Sequence, residues 1–570
     1  MRRRFRVWKT GAAWPVLLGF GVASFLAFGL RLLIDPGHVY EGVLDDPQIP
    51  IWSFAWWPHA ILNGENPFVT HAIWAPYGVD LAWANTLPPL AILLAPVTWL
   101  AGPFAAYDAA VVLLPALSAW TAFLLCRHLT HRLWPSLVGG YLFGFSSYML
   151  GHLAGQPQLT AVFLLPIAAL LAVRYVEGEL DGRRFALLFG AVLGIQLYLA
   201  LEIAFSLTLA LAAALILAYV LVPARRARLV SSIRPLIGAY CVGGVIGAPM
   251  LYFALTDLRE SGFTPPDAWV ADLANVVIPT HVEALGAGWS GSIAGHFPGN
   301  TTEQGVYIGL PILVVLVLFA WERRRSPAGR FLVASLLVAA YVSLGPHLTA
   351  YGHRLLPLPT PFGHDNLTLP GHGSRPFPVF DNTLPVRLTL YTSLAAAVAV
   401  ALWAAARRPG DRLGLLLPAL GVLLLLPNPA VWTTRYSIPP FFTDARFRAC
   451  LPPDATVLPE PIGGGGEAML WQVADGFRFR MAGGRIQTSP PQDFIHPDSI
   501  AQISVGYPPV ENQPGLLSLY FAIYGVTDAI VDRRDAATWA PALDRIATRH
   551  DVGGVLLYPI GAPLPADCPA

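Results

Sequence analysis

The chain has 570 residues, of which 55% are hydrophobic and only 12% charged, and its formal net charge is +1. Because a soluble domain carries about 25% charged residues, this composition excludes a soluble globular protein. The sequence has no basic block interleaved with aromatic residues that would suggest nucleic-acid binding. Several apolar runs reach the ~20 residues that cross a hydrocarbon core of ~30 Å, which predicts a polytopic α-helical membrane protein.

The N-terminal segment MRRRFRVWKTGAAWPVLLGFGVASFLAFGLRLLI begins with basic residues, as a signal peptide does. Its apolar stretch is too long for a signal peptide, and no small-residue cleavage site follows it. We therefore interpret the segment as a retained first transmembrane helix with its basic end in the cytoplasm.

The arginine clusters predict the topology, because positively charged loops of membrane proteins face the cytoplasm. Placing the clusters inside gives about eleven spans, with the N-terminus inside and the C-terminus outside. The expected spans are 12–33, 105–126, 134–153, 157–174, 185–201, 203–222, 234–256, 304–321, 330–346, 388–406 and 413–428. The apolar run at 87–103 is short and contains proline, and counting it as a span would place Arg127 and Arg132 outside. We interpret it as a re-entrant or interfacial helix.

The outer face then carries three long loops, at 34–103, 257–303 and 347–387, and a C-terminal tail. This division predicts a transmembrane domain at 1–428 and an extracytoplasmic domain at 429–570. In the tail, DATVLPEPI and GVTDAIVDRRDAATWAPALDRIATRHDVGGVLLYPI indicate strands alternating with a helix, and hence an α/β unit. A scaffold or a lid is the plain interpretation of this unit.

The four cysteines divide into two pairs. Cys126 and Cys241 lie in apolar spans and are interpreted as packing residues. Cys450 and Cys568 lie near the two ends of the external tail, in a compartment that permits disulfides, and we expect them to bond. The GGGG run at 463–466 is read as a flexible loop, because no basic residue follows where a phosphate-binding loop has its lysine.

The first external loop contains the strongest candidates for chemistry, and the chain has no lysine or arginine between Leu32 and Cys126. Asp45 and Asp46 open the loop, where a carboxylate can act as a general base on an acceptor hydroxyl. The other interpretation is a helix cap or a solvated turn, since Asp-Pro is a frequent helix start. The tryptophans at 52, 56 and 57 favour an amphipathic helix anchored at the membrane interface.

Other polar residues of the outer face are weaker candidates. His59 and His71 are candidate substrate contacts that could also join the acids as ligands of a divalent ion. Their spacing matches no metal motif, which favours structural roles. Glu202 lies in a short external hairpin between two apolar spans, where an unpaired acid is costly, so it is the candidate second carboxylate of the site. A solvated loop acid is its other interpretation.

A further group of residues is expected to contact substrate. His152 and Gln156, in GHLAGQPQL, are expected either to contact substrate hydroxyls or to satisfy the broken backbone there. The cations Arg31 and Arg387 are candidates for pairing with a phosphate, with snorkelling as the plain alternative. Glu303, in GNTTEQGVYIGLPIL, is counted with these substrate-binding candidates.

The sequence resembles the GT-C superfamily of membrane glycosyltransferases that use polyprenyl-phosphate sugars, and within it the bacterial membrane proteins of the YfhO type. The resemblance rests on GVLDDPQIPIWSFAWWPHAILNGENPF, GGYLFGFSSYMLGHLAGQPQL, VVIPTHVEALG, GNTTEQGVYIGLPIL and LPVRLTLY. It implies that the first-loop acid of the family falls on Asp46 or Asp45, with Asp46 favoured.

The resemblance also implies the reaction and its partners. The donor is a polyprenyl-phosphate sugar, the acceptor is a lipid or glycan of the cell envelope, and the transfer inverts the anomeric centre at the outer face of a bacterial cell membrane. It implies no cofactor, and it leaves a divalent metal open. A flippase for lipid-linked saccharides is the second reading, although we find no internal repeat of the kind that many transporters have. A structural subunit of an envelope assembly is the third.

Overall fold

The computed structural model describes residues 13–35, 37–43, 46–84, 86–256, 268–362, 383–408, 410–462, 466–486, 491–494, 498–508 and 514–569. The chain divides into two compact units. The first comprises Met1–Ile34, Ala109–Gly247 and Phe263–Trp432, and the second comprises Asp35–Asp108, Ala248–Gly262 and Thr433–Ala570.

The first unit is built from helices. In the described residues they are Ala13–Ser24, Leu133–Gly144, Ser147–Leu153, Pro157–Thr160, Leu164–Glu177, Gly182–Leu199, Leu201–Leu221, Arg226–Ser231, Ile233–Ile246, Gly291–Ala294, Leu310–Arg323, Pro327–Ser343, Thr389–Ala405 and Arg412–Leu424. The helix Ala95–Thr130 begins in the second unit and ends in the first. The strands β4 (His347–Ala350) and β5 (His353–Pro357) form an antiparallel hairpin.

Five helices among the described residues are long and apolar enough to cross a membrane: Ala95–Thr130, Pro157–Glu177, Gly182–Leu199, Leu201–Leu221 and Pro385–Ala405. Pro223–Ser231 and Ile233–Ile246, bent by 46°, make a sixth if they form one broken span. The polytopic helical fold class is confirmed. The total of about eleven spans stays a prediction, because expected spans such as 134–153 are divided into shorter helices.

Polar side chains begin the helices that follow the arginine-rich loops. Asp181 accepts a hydrogen bond from the N–H of Arg184 at 2.9 Å, and Asp411 accepts one from the N–H of Leu413 at 3.1 Å. Ser326 accepts one from the N–H of Gly329 at 3.3 Å. Each cap satisfies a backbone donor that the helix itself leaves without a partner.

The apolar run at 87–103 contains the short helix Pro88–Leu93 and the first turns of Ala95–Thr130. The backbone leaves helical geometry at Gly102, with φ 87° and ψ 164°. This interruption separates the run from the longer helical segment that follows. Its re-entrant or interfacial placement stays a prediction.

The second unit is mixed α/β. Its helices in the described residues are Gln48–Leu62, Pro88–Leu93, Ala248–Thr256, Pro440–Thr443, Ala468–Ala474, Asp498–Ala501, Pro514–Tyr524 and Ala536–Leu543. Its strands are β1 (Val39–Glu41), β2 (Val69–Thr70), β3 (Val79–Asp80), β6 (Thr433–Arg435), β7 (Thr456–Glu460), β8 (Arg480–Met481), β9 (Asp528–Asp532), β10 (His550–Val552) and β11 (Val555–Pro559).

The main sheet of the second unit has the strand order β10-β11-β9-β7-β8. β7 is parallel to both β8 and β9, whereas β11 is antiparallel to β9 and to β10. A separate antiparallel ribbon pairs β1 with β6 and brings Val39 opposite Arg435. A disulfide joins Cys450 to Cys568, across a sequence separation of 118 residues.

The tryptophans of the first loop lie in the core of the second unit, where Trp52, Trp56 and Trp57 are all buried. The indole N–H of Trp52 donates to Oε1 of Gln472 at 2.7 Å, and that of Trp56 donates to the carbonyl of Pro67 at 3.1 Å. The interpretation of these rings as membrane-interface anchors is therefore wrong, because all three pack inside the unit and Trp52 and Trp56 also hydrogen-bond there.

Candidate functional site

A buried cluster of charged groups surrounds Arg387 in the first unit. Arg387 lies in the turn Pro385–Leu388, immediately before the helix Thr389–Ala405. Its Nη1 donates to Oε2 of Glu202 at 2.5 Å, while Nε and Nη2 both donate to Oε1 of Glu303, at 3.0 and 2.6 Å. The side chain of Arg387 is 15% exposed and that of Glu303 only 1%. One guanidinium thus holds two carboxylates that are mostly removed from solvent.

His152 and Gln156 extend this cluster. Nε2 of His152 lies 3.8 Å from Oε2 of Glu303, and Nδ1 lies 3.2 Å from Oε1 of Gln156. Burial alone would raise the pKa of Glu303, but the charges of Arg387 and His152 hold the pKa below its ordinary value. The structure therefore brings together five of the residues that the sequence nominates.

Close packing of two backbone segments brings His152 near Glu303. His152 lies on the short helix Ser147–Leu153, and Glu303 lies on the turn that packs against that helix. A Cβ added at Gly151 would lie 2.8 Å from the carbonyl oxygen of Thr302, and one added at Gly305 would lie 2.7 Å from Cα of Tyr148. Only glycine permits so close an approach of the two backbones.

Glu283 fixes the other end of the same short helix, and sequence reasoning missed it. Ser147 Oγ donates to Oε1 of Glu283 at 2.5 Å, and the N–H of Thr280 donates to Oε2 at 2.9 Å. Burial raises the pKa of this carboxyl to about 7, against the lowering effect of those donors. Its position within VVIPTHVEALG was the available signal.

Two acceptor atoms of the Arg387 cluster have no hydrogen-bond partner among the described residues. They are Oε1 of Glu202 and Oε2 of Glu303, and both are buried. Buried polar atoms are normally paired, so the exceptions mark places where a further donor can bind. The cluster therefore keeps two acceptor atoms whose hydrogen-bonding capacity the described residues do not use.

Asp46 lies in the second unit, in the turn before the helix Gln48–Leu62. Its side chain is 33% exposed, and Nη2 of Arg485 lies 3.5 Å from its Oδ1. Pro47 occupies the cap position of the helix, and no side-chain cap hydrogen bond is made there. Asp46 is thus a carboxylate that solvent can reach. Asp45 lies outside the described residues.

Two buried acids of the second unit were also missed. Oδ1 of Asp108 accepts a hydrogen bond from the N–H of Glu41 at 2.9 Å, and the hydroxyl of Tyr107 donates to the carbonyl of Glu41 at 2.9 Å. Glu41 and Asp108 are both buried. Glu41 precedes Asp46 by five positions, and no local pattern distinguishes it as buried.

The other site residues predicted from the sequence lie outside the Arg387 cluster. The ring of His59 lies 4.8 Å from that of Phe477, and His71 is exposed. Arg31 is exposed, and its Nη1 donates to the carbonyl of Ala430 at 3.3 Å. Among the described residues, the one group of three ligands close enough together for a metal ion is His128, Glu177 and Glu179. That group is compatible with a divalent ion and contains neither predicted histidine.

The sequence matches, over residues 16–369, the family described as "Domain of unknown function (DUF6311)". The chain belongs to this family. No curated protein matches the sequence.

Solved structures of two membrane proteins resemble this DUF6311 chain. One is the archaeal oligosaccharyltransferase AglB from Archaeoglobus fulgidus, in complex with an inhibitory peptide and a dolichol-phosphate. Its TM-score is 0.52 at 11% identity, over 95% of this chain and 73% of that one. The other is the arabinofuranosyltransferase AftD from Mycobacteria, with a TM-score of 0.57 at 14% identity, over 97% of this chain and 40% of that one.

These likenesses show the fold. The protein has the GT-C membrane fold, as the resemblance found in the sequence implied. The closer resemblance to the YfhO type stays a prediction.

Proposed function

We propose that the protein is an integral membrane glycosyltransferase that moves a sugar from a polyprenyl-phosphate donor to a cell-envelope acceptor, at the outer face of a bacterial cell membrane. The observation that carries this proposal is Asp46, an accessible carboxylate at the head of the first loop of a GT-C chain. The dolichol-phosphate bound in the structurally similar AglB supports a lipid-linked donor.

In the proposed reaction Asp46 is the general base. It accepts the proton of the acceptor hydroxyl while the acceptor oxygen forms a bond to the anomeric carbon. The bond from that carbon to the phosphate oxygen breaks, and the polyprenyl phosphate leaves with the electron pair, so the anomeric centre inverts. A positioned base contributes about 10²–10⁴ in rate, and the lipid phosphate is already a good leaving group.

The cations of the first unit have different parts in this proposal. Arg31 is exposed and contacts a backbone carbonyl, so it is our candidate for the departing phosphate. Arg387 is already matched by two carboxylates, and we assign it to positioning Glu202 and Glu303. His152, Gln156 and Glu303 are our candidate substrate contacts in the first unit, with Glu202 as the candidate second carboxylate.

Deletion of the gene followed by mass analysis of envelope glycans tests the proposal. Loss of one sugar decoration, restored by the wild-type chain, is the expected result. Accumulation of an untranslocated lipid-linked saccharide would instead support a flippase. An unchanged glycan and lipid profile would contradict both and leave a structural subunit.

A further inference from the structure

The main sheet of the second unit contains a crevice of the kind where α/β proteins bind ligands. From the carboxyl end of β7 the chain crosses to β8 on one side, and from that of β9 it continues towards β10 and β11 on the other. Because β7 and β9 are parallel, their carboxyl ends lie at the same edge, with Glu460 opposite Val531. Ligands of open α/β sheets bind where neighbouring connections diverge in this way.

A cavity of about 580 Å³ lies at this edge of the second unit, within the usual volume range of ligand sites. Glu467 follows β7 and Arg534 follows β9, and both line the cavity. Nη2 of Arg534 donates to Oε2 of Glu467 at 2.8 Å and to Oδ2 of Asp532 at 2.6 Å. The floor is therefore made of groups that come from both sides of the crevice.

The end of the β1–β6 ribbon supplies the rest of the lining. Arg435, the last residue of β6, pairs with Asp35 at 3.0 Å, and the N–H of Ser437 donates to Oε1 of Glu467 at 3.2 Å. Tyr436 also lines the cavity, with its half-buried ring stacked on Phe104 at a centroid distance of 4.3 Å.

The charges of this cavity decide the class of ligand. Both arginines of the lining are already neutralised, Arg435 by Asp35 and Arg534 by Glu467 and Asp532. His38 also lines the cavity, and its Nδ1 lies 3.2 Å from Oδ1 of Asp35, so the lining carries no excess positive charge for a phosphate or a nucleotide. Planar guanidinium and carboxylate groups beside an aromatic ring instead suit a neutral ligand with many hydroxyls, to which each group can offer two hydrogen bonds.

A buried acid at the same strand end supports a polar ligand. Glu460 ends β7 and is fully buried, and its Oε1 has no hydrogen-bond partner among the described residues. Burial raises the pKa of this carboxyl well above its ordinary value, and the nearby charge of Asp535 adds to the effect. A carboxyl held in its neutral form can both donate and accept a hydrogen bond.

We propose that this cavity of the second unit is a saccharide-binding site. It binds a neutral sugar unit through the Arg534–Glu467 and Arg435–Asp35 pairs, with Tyr436 against the ring. Its lining contains none of the residues assigned to the general base or to the donor, and it gives the C-terminal α/β region a recognition role beyond that of a scaffold or lid.

Saturation-transfer NMR on the full-length protein in lipid nanodiscs tests this site without measuring turnover. The probes are the methyl glycosides of glucose, galactose, mannose and arabinofuranose. We expect at least one to give transfer signals, and Arg534→Ala and Arg435→Ala to weaken its binding about tenfold by removing charged hydrogen-bond donors. Arg435 is 83% exposed, so its variant keeps the test valid if Arg534→Ala fails to fold.

Arg533→Ala is the matched control, because Arg533 adjoins Arg534 but pairs with Asp551 and does not line the cavity. It should bind the sugar as the wild type does. Signals that are absent for all four glycosides, or equal in the wild type and both cavity variants, would overturn the proposal. Displacement of the sugar by inorganic phosphate at equal concentration would also overturn it, by showing an anion site.

Discussion

Arg387 donates two hydrogen bonds to a single oxygen of Glu303, from Nε at 3.0 Å and from Nη2 at 2.6 Å. The other oxygen of that carboxylate is buried and has no hydrogen-bond partner among the described residues. The guanidinium also binds Glu202, so its one positive charge faces two negative charges. The positive charge of Arg387 is therefore already paired with the two acids, and any phosphate would have to compete with both for the guanidinium.

Replacing Arg387 by methionine should destabilise the protein strongly. Removing one partner of a buried ion pair leaves uncompensated charge, at a cost of about 3–5 kcal/mol. The control is Arg174→Met, whose pair with Glu179 is partly exposed and should contribute only about 0–1 kcal/mol. Thermal unfolding in detergent measures both variants. Equal unfolding midpoints for the two would show that the Arg387 cluster has no special energetic role.

Gly151→Ala should separate the helix of His152 from the turn of Glu303. The added Cβ would lie 2.8 Å from the carbonyl of Thr302, so one backbone must move, at about 1–3 kcal/mol. Gly244→Ala is the control, because nothing lies within 4 Å of a Cβ there and alanine favours the helix. The unfolding midpoint should fall for Gly151→Ala alone. No fall in the Gly151 variant would contradict the close packing described here.

Glu283 should make stability depend on pH. Burial raises its folded-state pKa from the ordinary value of 4.5 to about 7, so the folded state binds the proton more tightly than the unfolded state does. Its stabilising contribution is complete below the unfolded pKa and is lost as pH rises through about 7, a change of about 3 kcal/mol. Glu283→Gln, which stays neutral, should flatten the curve of unfolding midpoint against pH.

The difference between the wild-type and Glu283→Gln curves isolates this carboxyl from the other titrating groups. Parallel curves between about pH 4.5 and pH 7 would mean that Glu283 keeps its ordinary pKa.

The membrane fold and several site residues could be predicted because they depend on local information. Apolar runs near the length of a bilayer predict spans directly. Acids and arginines at the ends of such runs are conspicuous because burying a charge is costly, which is why Glu202 and Arg387 could be nominated. The ion pair between Glu202 and Arg387 could not be predicted, because 185 positions separate the two residues in the sequence.

The wrong prediction for Trp52 and the omission of Glu283 both arise because their environments depend on contacts that are distant in the sequence. The sequence places Trp52 at the membrane interface because tryptophan is frequent both in interface anchors and in buried cores, so the residue type does not distinguish them. Its hydrogen-bond partner Gln472 lies 420 positions away. Glu283 was missed because an acid in a loop has no periodicity that reveals burial, and its role depends on Ser147, 136 positions earlier.

The most direct test of the proposed transfer is the envelope glycan of a deletion strain that carries the Asp46→Asn variant. Asparagine keeps the shape of the side chain but cannot accept the proton, so transfer should fall by about 10²-fold or more. Glu65→Gln, at an exposed acid of the same loop, is the control and should restore the glycan fully. Mass analysis showing loss of the sugar with Asp46→Asn is the predicted result. Full decoration, with that variant present in the membrane at the wild-type level, would contradict Asp46 as the base.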